Sequence, residues 1–111
     1  MNYWPRYIGD WKKKTSALSL LEKGVYTELL DYCYATESPI PLQIELVFRI
    51  VGARSSMEHR AVEQVLKMFF TKTGEGWENE RVNEELSKWK TKSKKNAANA
   101  HKRWHKEPDQ T

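Results

Sequence analysis

Three histidines, one cysteine and fifteen acidic residues are the groups through which this chain could do chemistry. His101 and His105 lie four apart on an expected helix, a spacing that could hold a metal on one face. No Asp, Glu or Cys completes a site beside them, because Glu107 falls past the expected helix end. His59 stands apart from both. A lone cysteine, Cys33, leaves neither an internal disulfide nor a cysteine-based zinc site, and its place in an apolar run marks it as a small buried hydrophobe. Gly74-Glu75-Gly76 is too short for a phosphate loop. The acidic residues lie singly along helix faces, so paired-carboxylate catalysis has no candidate. No catalytic constellation, metal or cofactor is expected, and the chain reads as a non-enzyme.

Binding chemistry has better candidates, in the stretch from Ser55 to Glu80. Ser55 with Glu58 three residues on is a capping box. Val62, Val65, Leu66 and Phe69 then recur at three and four residues and share one helical face. Arg60, Gln64 and Lys67 fall opposite. Phe70, a Lys-flanked Gly74-Glu75-Gly76 and Trp77 come next as a short hairpin signal. A helix with a polar, basic outer face running into a basic hairpin has the shape of a recognition helix and its wing. It is also compatible with an ordinary surface helix and hairpin.

Other elements must position that stretch. Tyr3-Trp4-Pro5 and Tyr7-Ile8-Gly9-Asp10-Trp11 suggest an extended entry strand or an anchor packed on the core. Lys12-Lys13-Lys14 belongs to a short helix or loop and reads as a solvated face. Ser19–Thr36 is the firmest helix. Ser19 and Glu22 form a capping box, and Tyr26, Leu29, Leu30 and Cys33 make an apolar face widened by Leu21, Val25 and Tyr32. A stripe that wide implies a central helix touched on two sides. Gly24 inside it costs about 1 kcal/mol relative to alanine; close approach of another backbone would explain it. Ser38-Pro39-Ile40-Pro41 ends the helix. Leu42–Val51 carries Leu42, Leu46, Val47 and Ile50 at helical spacing, Gly52 stops it, and Ala53–Ser55 turns into the next helix as in a helix-turn-helix. From Glu80 to Trp104 one long helix is expected. Val82, Leu86 and Trp89 are packed near its start, and a weaker stripe of Ala97, Ala100 and Trp104 lies beyond them.

The 111 residues suggest one domain. Residues 1–87 hold 11 Lys+Arg and 13 Asp+Glu, a net of −2, whereas residues 88–106 hold eight basic residues and no acid. A near-neutral body thus carries a basic arm, of the kind that contacts nucleic acid or simply stays solvated. No stretch reaches ~18 apolar residues and no signal-peptide pattern opens the chain, so a cytoplasmic, non-membrane protein is expected. The organisation reads as a winged-helix domain over residues 1–90 and a basic helical arm with a polar tail over 91–111. The fold class is mainly α with a small β-hairpin: a winged helix-turn-helix with a long C-terminal helix.

Several elements, in order, match a known pattern. Tyr3-Trp4-Pro5 leads to Ile8-Gly9-Asp10, Thr15 and Leu18-Ser19. Glu22-x-Gly24-x-Tyr26, Leu29, Leu30, Tyr34, Ile40 and Pro41 come next, then Val65-Leu66, Phe69-Phe70, Gly76-Trp77, Asn79, Arg81 and Glu84. Ser93, Ala97, Ala100, Arg103 and Trp104 close the series. Across nearly its whole length the chain resembles the YdaU-like family of prophage proteins, a domain of unknown function at the N-terminus of phage replication initiators. The resemblance implies a winged-helix fold and a role in phage or prophage DNA replication, often beside a helicase loader. Two departures stand out. Family members often carry a second region beyond this domain, and the sequence stops at Thr111. Pro41-Leu42-Gln43 also lacks the acidic helix cap that the family pattern implies.

The leading expectation is a module that binds double-stranded DNA. Phosphate contacts would supply most of the affinity and the recognition helix would select bases in the major groove. Arg60 and Gln64 are the candidates for base edges and Arg54 and Lys67 for phosphates. Lys72 in the wing would meet an adjacent backbone or the minor groove, and Lys92, Lys95, Lys102 and Arg103 would act from the arm. An interaction module is the alternative, contacting a helicase loader or replicative helicase, or forming a homodimer, through a secondary stripe of Met57, Ala61 and Met68. A phage transcriptional regulator would use the same DNA contacts.

Overall fold

The structure, a computed structural model, describes residues 1–92. Its elements are α1 (Ile8–Thr15), α2 (Leu20–Thr36), α3 (Ile44–Val51), α4 (Ser56–Phe69), β1 (Thr71–Lys72) and β2 (Trp77–Glu78), and then a helix α5 over residues 80–92. The architecture is mainly helical with one small antiparallel sheet.

Helix α2 is the centre, as its wide stripe requires. The Ser19 hydroxyl accepts from the Glu22 N–H at 3.1 Å and the Glu22 carboxylate accepts from the Ser19 N–H at 2.8 Å, so two orphan donors are satisfied at its start. Val25, Tyr26, Leu29, Leu30, Cys33 and Tyr34 are buried, and the helix packs on both α3 and α4. Gly24, by contrast, is exposed, and a Cβ there would meet nothing within 4 Å. The close approach expected at Gly24 is therefore absent, and its cost in helix propensity has no packing return.

The N-terminal segment is an anchor, with no strand before α1. The Trp4 ring stacks on Tyr34 with centroids 4.9 Å apart and its indole N–H donates to the Asp31 carboxylate at 2.6 Å. Trp11 brings α1 onto the core by stacking on Tyr26 at 5.2 Å, and Tyr26 stacks in turn on Phe69 of α4 at 4.3 Å. These aromatic pairs each add about 0.5–1.5 kcal/mol beyond their area burial, and they join three helices.

Helix α3 begins at Ile44, two residues later than its apolar spacing suggests. The reason is non-local. The Ile40 N–H donates to the Trp77 carbonyl at 2.9 Å and the Trp77 N–H to the Ile40 carbonyl at 2.7 Å, so residue 40 is held extended as a third, single-residue rung beside β2. Pro41–Gln43 are then needed to turn the chain, and Gln43 caps α3 without a side-chain bond. The far end has the expected stop. Gly52 has φ +79°, its N–H donates to the Arg49 carbonyl and the Ala53 N–H donates to the Phe48 carbonyl, which is a Schellman closure.

The hairpin pairs Thr71 with Glu78 and Lys72 with Trp77. Its loop is closed by the Thr73 N–H and hydroxyl, both donating to the Gly76 carbonyl at 2.8 and 2.9 Å. Gly74 and Glu75 face solvent as expected, but Gly76 is buried and Trp77 is only half-buried against the core. Asn79 fixes the junction into the last helix. Its side-chain amide donates to the Phe69 carbonyl at 2.9 Å and its Oδ1 accepts from the Val82 N–H at 3.0 Å, tying the end of α4 to the start of α5. Val82 and Leu86 are buried on α5, while Trp89, expected in the same stripe, is 37% exposed. The helix continues through the domain boundary expected at residue 90. Ala97, Ala100, His101, Trp104 and His105 lie outside the described residues, as do Lys95, Lys102 and Arg103.

Candidate nucleic-acid interface

Helix α4 is built to show one face. Ala61, Val62, Val65 and Leu66 are buried, and Arg60, Glu63, Gln64, Lys67 and Met68 are exposed. This corrects the secondary stripe: Ala61 belongs to the core at 6% exposure, so Met57 and Met68, at 65% and 46%, are not joined through it. The start of α4 is held on several sides. The Ser55 hydroxyl accepts from the Glu58 N–H at 3.2 Å, while the Glu58 carboxylate accepts N–H bonds from Arg54 and Ser55 at 2.8 and 3.0 Å. Those backbone donors hold the Glu58 carboxyl below its ordinary value. His59 locks the turn from the other side. Its ring lies on Phe48 of α3 with centroids 3.9 Å apart and planes 7° apart, and its Nε2 is 3.3 Å from the Ala53 carbonyl.

The expected contact residues therefore sort by element. Arg54 is exposed in the turn, its backbone fixed by Glu58. Arg60, Gln64 and Lys67 are exposed at spacings of four and three on α4, and so share its outward side. Lys72 is exposed on β1, with Nζ over the Trp77 ring at 6.0 Å from its centre, the outer reach of a cation–π contact. A surface hollow lined by Leu42, Ile44, Glu63, Leu66, Lys67, Lys72 and Trp77 joins the end of α4 to the hairpin. Lys67 and Lys72 thus belong to one surface. Lys92 is exposed at the last described turn of α5. Among the described residues, none of Arg54, Arg60, Lys67, Lys72 and Lys92 forms a salt bridge.

Electrostatics qualify the picture. Helix α4 carries Arg60 and Lys67 against Glu58 and Glu63, so its own field is near zero and its flanks must supply the positive potential. Elsewhere, Arg81 is committed to structure: it approaches Asp10 at 3.7 Å and Glu85 at 3.5 Å and lies over the Tyr7 ring at 4.5 Å.

Sequence reasoning missed two surfaces. One is an apolar groove of about 460 Å³ between the start of α2 and the α3–α4 turn, lined by Leu20, Leu21, Gly24, Val25, Val51 and Ala53 among others. Leu20, 88% exposed at the first position of α2, was its signal. The other is a basic notch beside α1, signalled by the lysine run next to Trp11. Among the described residues, no group of three or more His, Cys, Asp or Glu is placed to hold a metal, and no helix is long and apolar enough to cross a membrane.

Comparison with known proteins gives the family of the chain. A model of the family described as "Protein of unknown function (DUF1376)" matches residues 2–87, the span from the N-terminal anchor into α5. The chain is also similar to "Uncharacterized protein YdaU" of Escherichia coli (strain K12), 34% identical over 98 residues that make up 86% of this chain and 33% of the relative. The chain thus spans about a third of that relative's length. No solved structure matches. On the family match and the identity to YdaU together, the chain belongs to the DUF1376 family, the YdaU-like proteins.

Proposed function

We propose that the chain is a non-enzymatic winged helix-turn-helix module that binds duplex DNA in phage or prophage replication initiation. One observation carries the reading: a doubly capped α4, turned outward by the Schellman-closed end of α3, runs straight into a hairpin whose inner strand is bonded to Ile40. The order helix, single rung, helix, helix, hairpin is the connectivity a winged helix uses. A helix with one buried side and an unpaired polar side of Arg60, Gln64 and Lys67 fits the major groove.

In this reading Arg60 donates two hydrogen bonds to a guanine edge and Gln64 pairs with an adenine edge. Arg54 and Lys67 meet phosphates on either side, and Lys72 tracks the neighbouring backbone. Lys92 and the downstream Lys95, Lys102 and Arg103 add charge without base information. Because α4 itself is neutral, affinity rests on these flanks and is strongly salt-dependent.

The test is duplex binding against salt for the parent and for Arg54→Ala/Lys67→Ala. Loss of two phosphate contacts flattens the log K versus log[salt] slope by about 1.8. An unchanged slope in the folded variant removes the α4 flanks from the interface. The apolar groove at Leu20, Leu21, Gly24 and Val25 favours a second reading, an interaction module for a helicase loader, a replicative helicase or a second copy. Leu20→Asp would abolish such an association and leave DNA binding intact.

A further inference from the structure

We infer that a notch beside α1 binds single-stranded DNA, separately from the α4 face. Arg6, Ile8, Trp11, Lys12, Thr15 and Lys23 line a hollow of about 630 Å³, in the range of about 300–1,000 Å³ that ligand sites occupy. Three of these side chains are cationic and none is acidic. The only acid on α1, Asp10, faces Arg81 at 3.7 Å. Lys13 and Lys14 continue the exposed charge along the same helix. This surface is more one-sidedly positive than α4, whose two bases are matched by two acids.

The notch also offers a stacking platform. The Trp11 indole is partly buried: Tyr26 stacks on one face at 5.2 Å and the Arg6 guanidinium lies over a ring at 4.8 Å, so the outer plane of that guanidinium is the surface left for a base. Through Tyr26 and Phe69 the platform is continuous with the core, so it is rigid before any ligand arrives. The Thr15 hydroxyl donates to the Trp11 carbonyl at 2.7 Å and fixes the helix turn behind it. Bases stack on aromatic rings and on guanidinium planes alike, and cations beside them pair with the phosphates. Stacking needs an unpaired base, so the occupant is a single strand. The lining holds no carboxylate or amide to reward a 2′-hydroxyl, and its one hydroxyl belongs to Thr15, which is 2% exposed, so nothing in the notch selects RNA and the proposal is for DNA. The notch shares no residue with the α4 face, so the inference stands or falls apart from the duplex reading.

The experiment uses the full chain and a fluorescent oligo-dT of about twenty nucleotides, long enough for one site of the usual size, read by anisotropy across a salt series. Lys12→Glu/Lys23→Glu and the milder Lys12→Gln/Lys23→Gln are compared with the parent, with circular dichroism to verify the fold. Loss of two contacts should make the salt slope shallower by about 1.4, at about 0.7 per single-strand phosphate. Arg6→Ala should weaken oligo-dT binding as well, whereas Arg49→Ala, at an exposed arginine of α3 outside both surfaces, should leave it unchanged. The same affinity and slope in both lysine variants as in the parent would overturn the inference. So would an equal slope loss on a random duplex, or tighter binding of oligo-rU through the same lysines.

Discussion

Gly76→Ala should be among the most damaging single-methyl changes in the chain. Gly76 has φ +150°, a conformation that L side chains rarely adopt, and it sits under the Pro39–Ile40 segment. A Cβ there would collide with the Ile40 carbonyl oxygen and come within 3.1 Å of the Pro39 Cβ. The first of these is backbone, and that same oxygen accepts the Trp77 N–H. The methyl therefore forces the hairpin away from Ile40 and strains both bonds of the 40–77 rung. Two backbone hydrogen bonds at about 0.5–1.5 kcal/mol each, with backbone strain of about 1–3 kcal/mol, give an expected loss of roughly 2–6 kcal/mol. Urea denaturation monitored by far-ultraviolet circular dichroism measures it. Gly24→Ala is the matched control, since its Cβ would meet nothing and helix propensity alone predicts a gain of about 1 kcal/mol. A Gly76→Ala protein within about 0.5 kcal/mol of the parent, the range of an ordinary surface change, would refute the argument that the 40–77 rung fixes the hairpin.

Asn79→Ala removes the α5 cap and leaves the Phe69 carbonyl without its side-chain donor; the same urea assay should show a loss of about 2–3 kcal/mol. Burial pushes the Cys33 thiol up to about 12, so Ellman's reagent at about pH 8, near the ordinary thiol value, should react with it only after denaturation. Burial likewise pushes the Tyr34 hydroxyl up to about 12 from an ordinary 10.0. Between these values the unfolded chain has lost a proton that the folded chain keeps, so stability should be full below about pH 10, fall as pH rises through about 12, and fall less in Tyr34→Phe.

What was legible in the sequence was local. Ser19 with Glu22 and Ser55 with Glu58 announce their helices because a capping box is closed within one turn. Gly52 announces a stop because the closure needs a left-handed residue. The outward side of α4 could be read from helical spacing, and Arg60, Gln64 and Lys67 are all exposed on it. The features that were not legible depend on partners far along the chain. The late start of α3 is set by Trp77 reaching back to Ile40, and the burial of Gly76 has the same cause. Ala61 looked like part of a surface stripe, yet it is in the core, because a small residue at the edge of an apolar face takes its side from its neighbours. Trp11, Tyr26 and Phe69 lie too far apart in sequence for their stack to show as a pattern. That stack turns a plain lysine run beside α1 into a walled basic notch.

The central claim, that the outward side of α4 docks on duplex DNA, is tested most directly by mapping backbone amide shifts of the labelled protein as a duplex selected from a random pool is added. The account predicts the largest shifts at Arg54, Arg60, Gln64, Lys67 and Lys72, with Leu20, Leu21, Gly24 and Val25 unmoved. Shifts confined to the apolar groove or to α1, with the α4 amides unchanged at saturation, would contradict it.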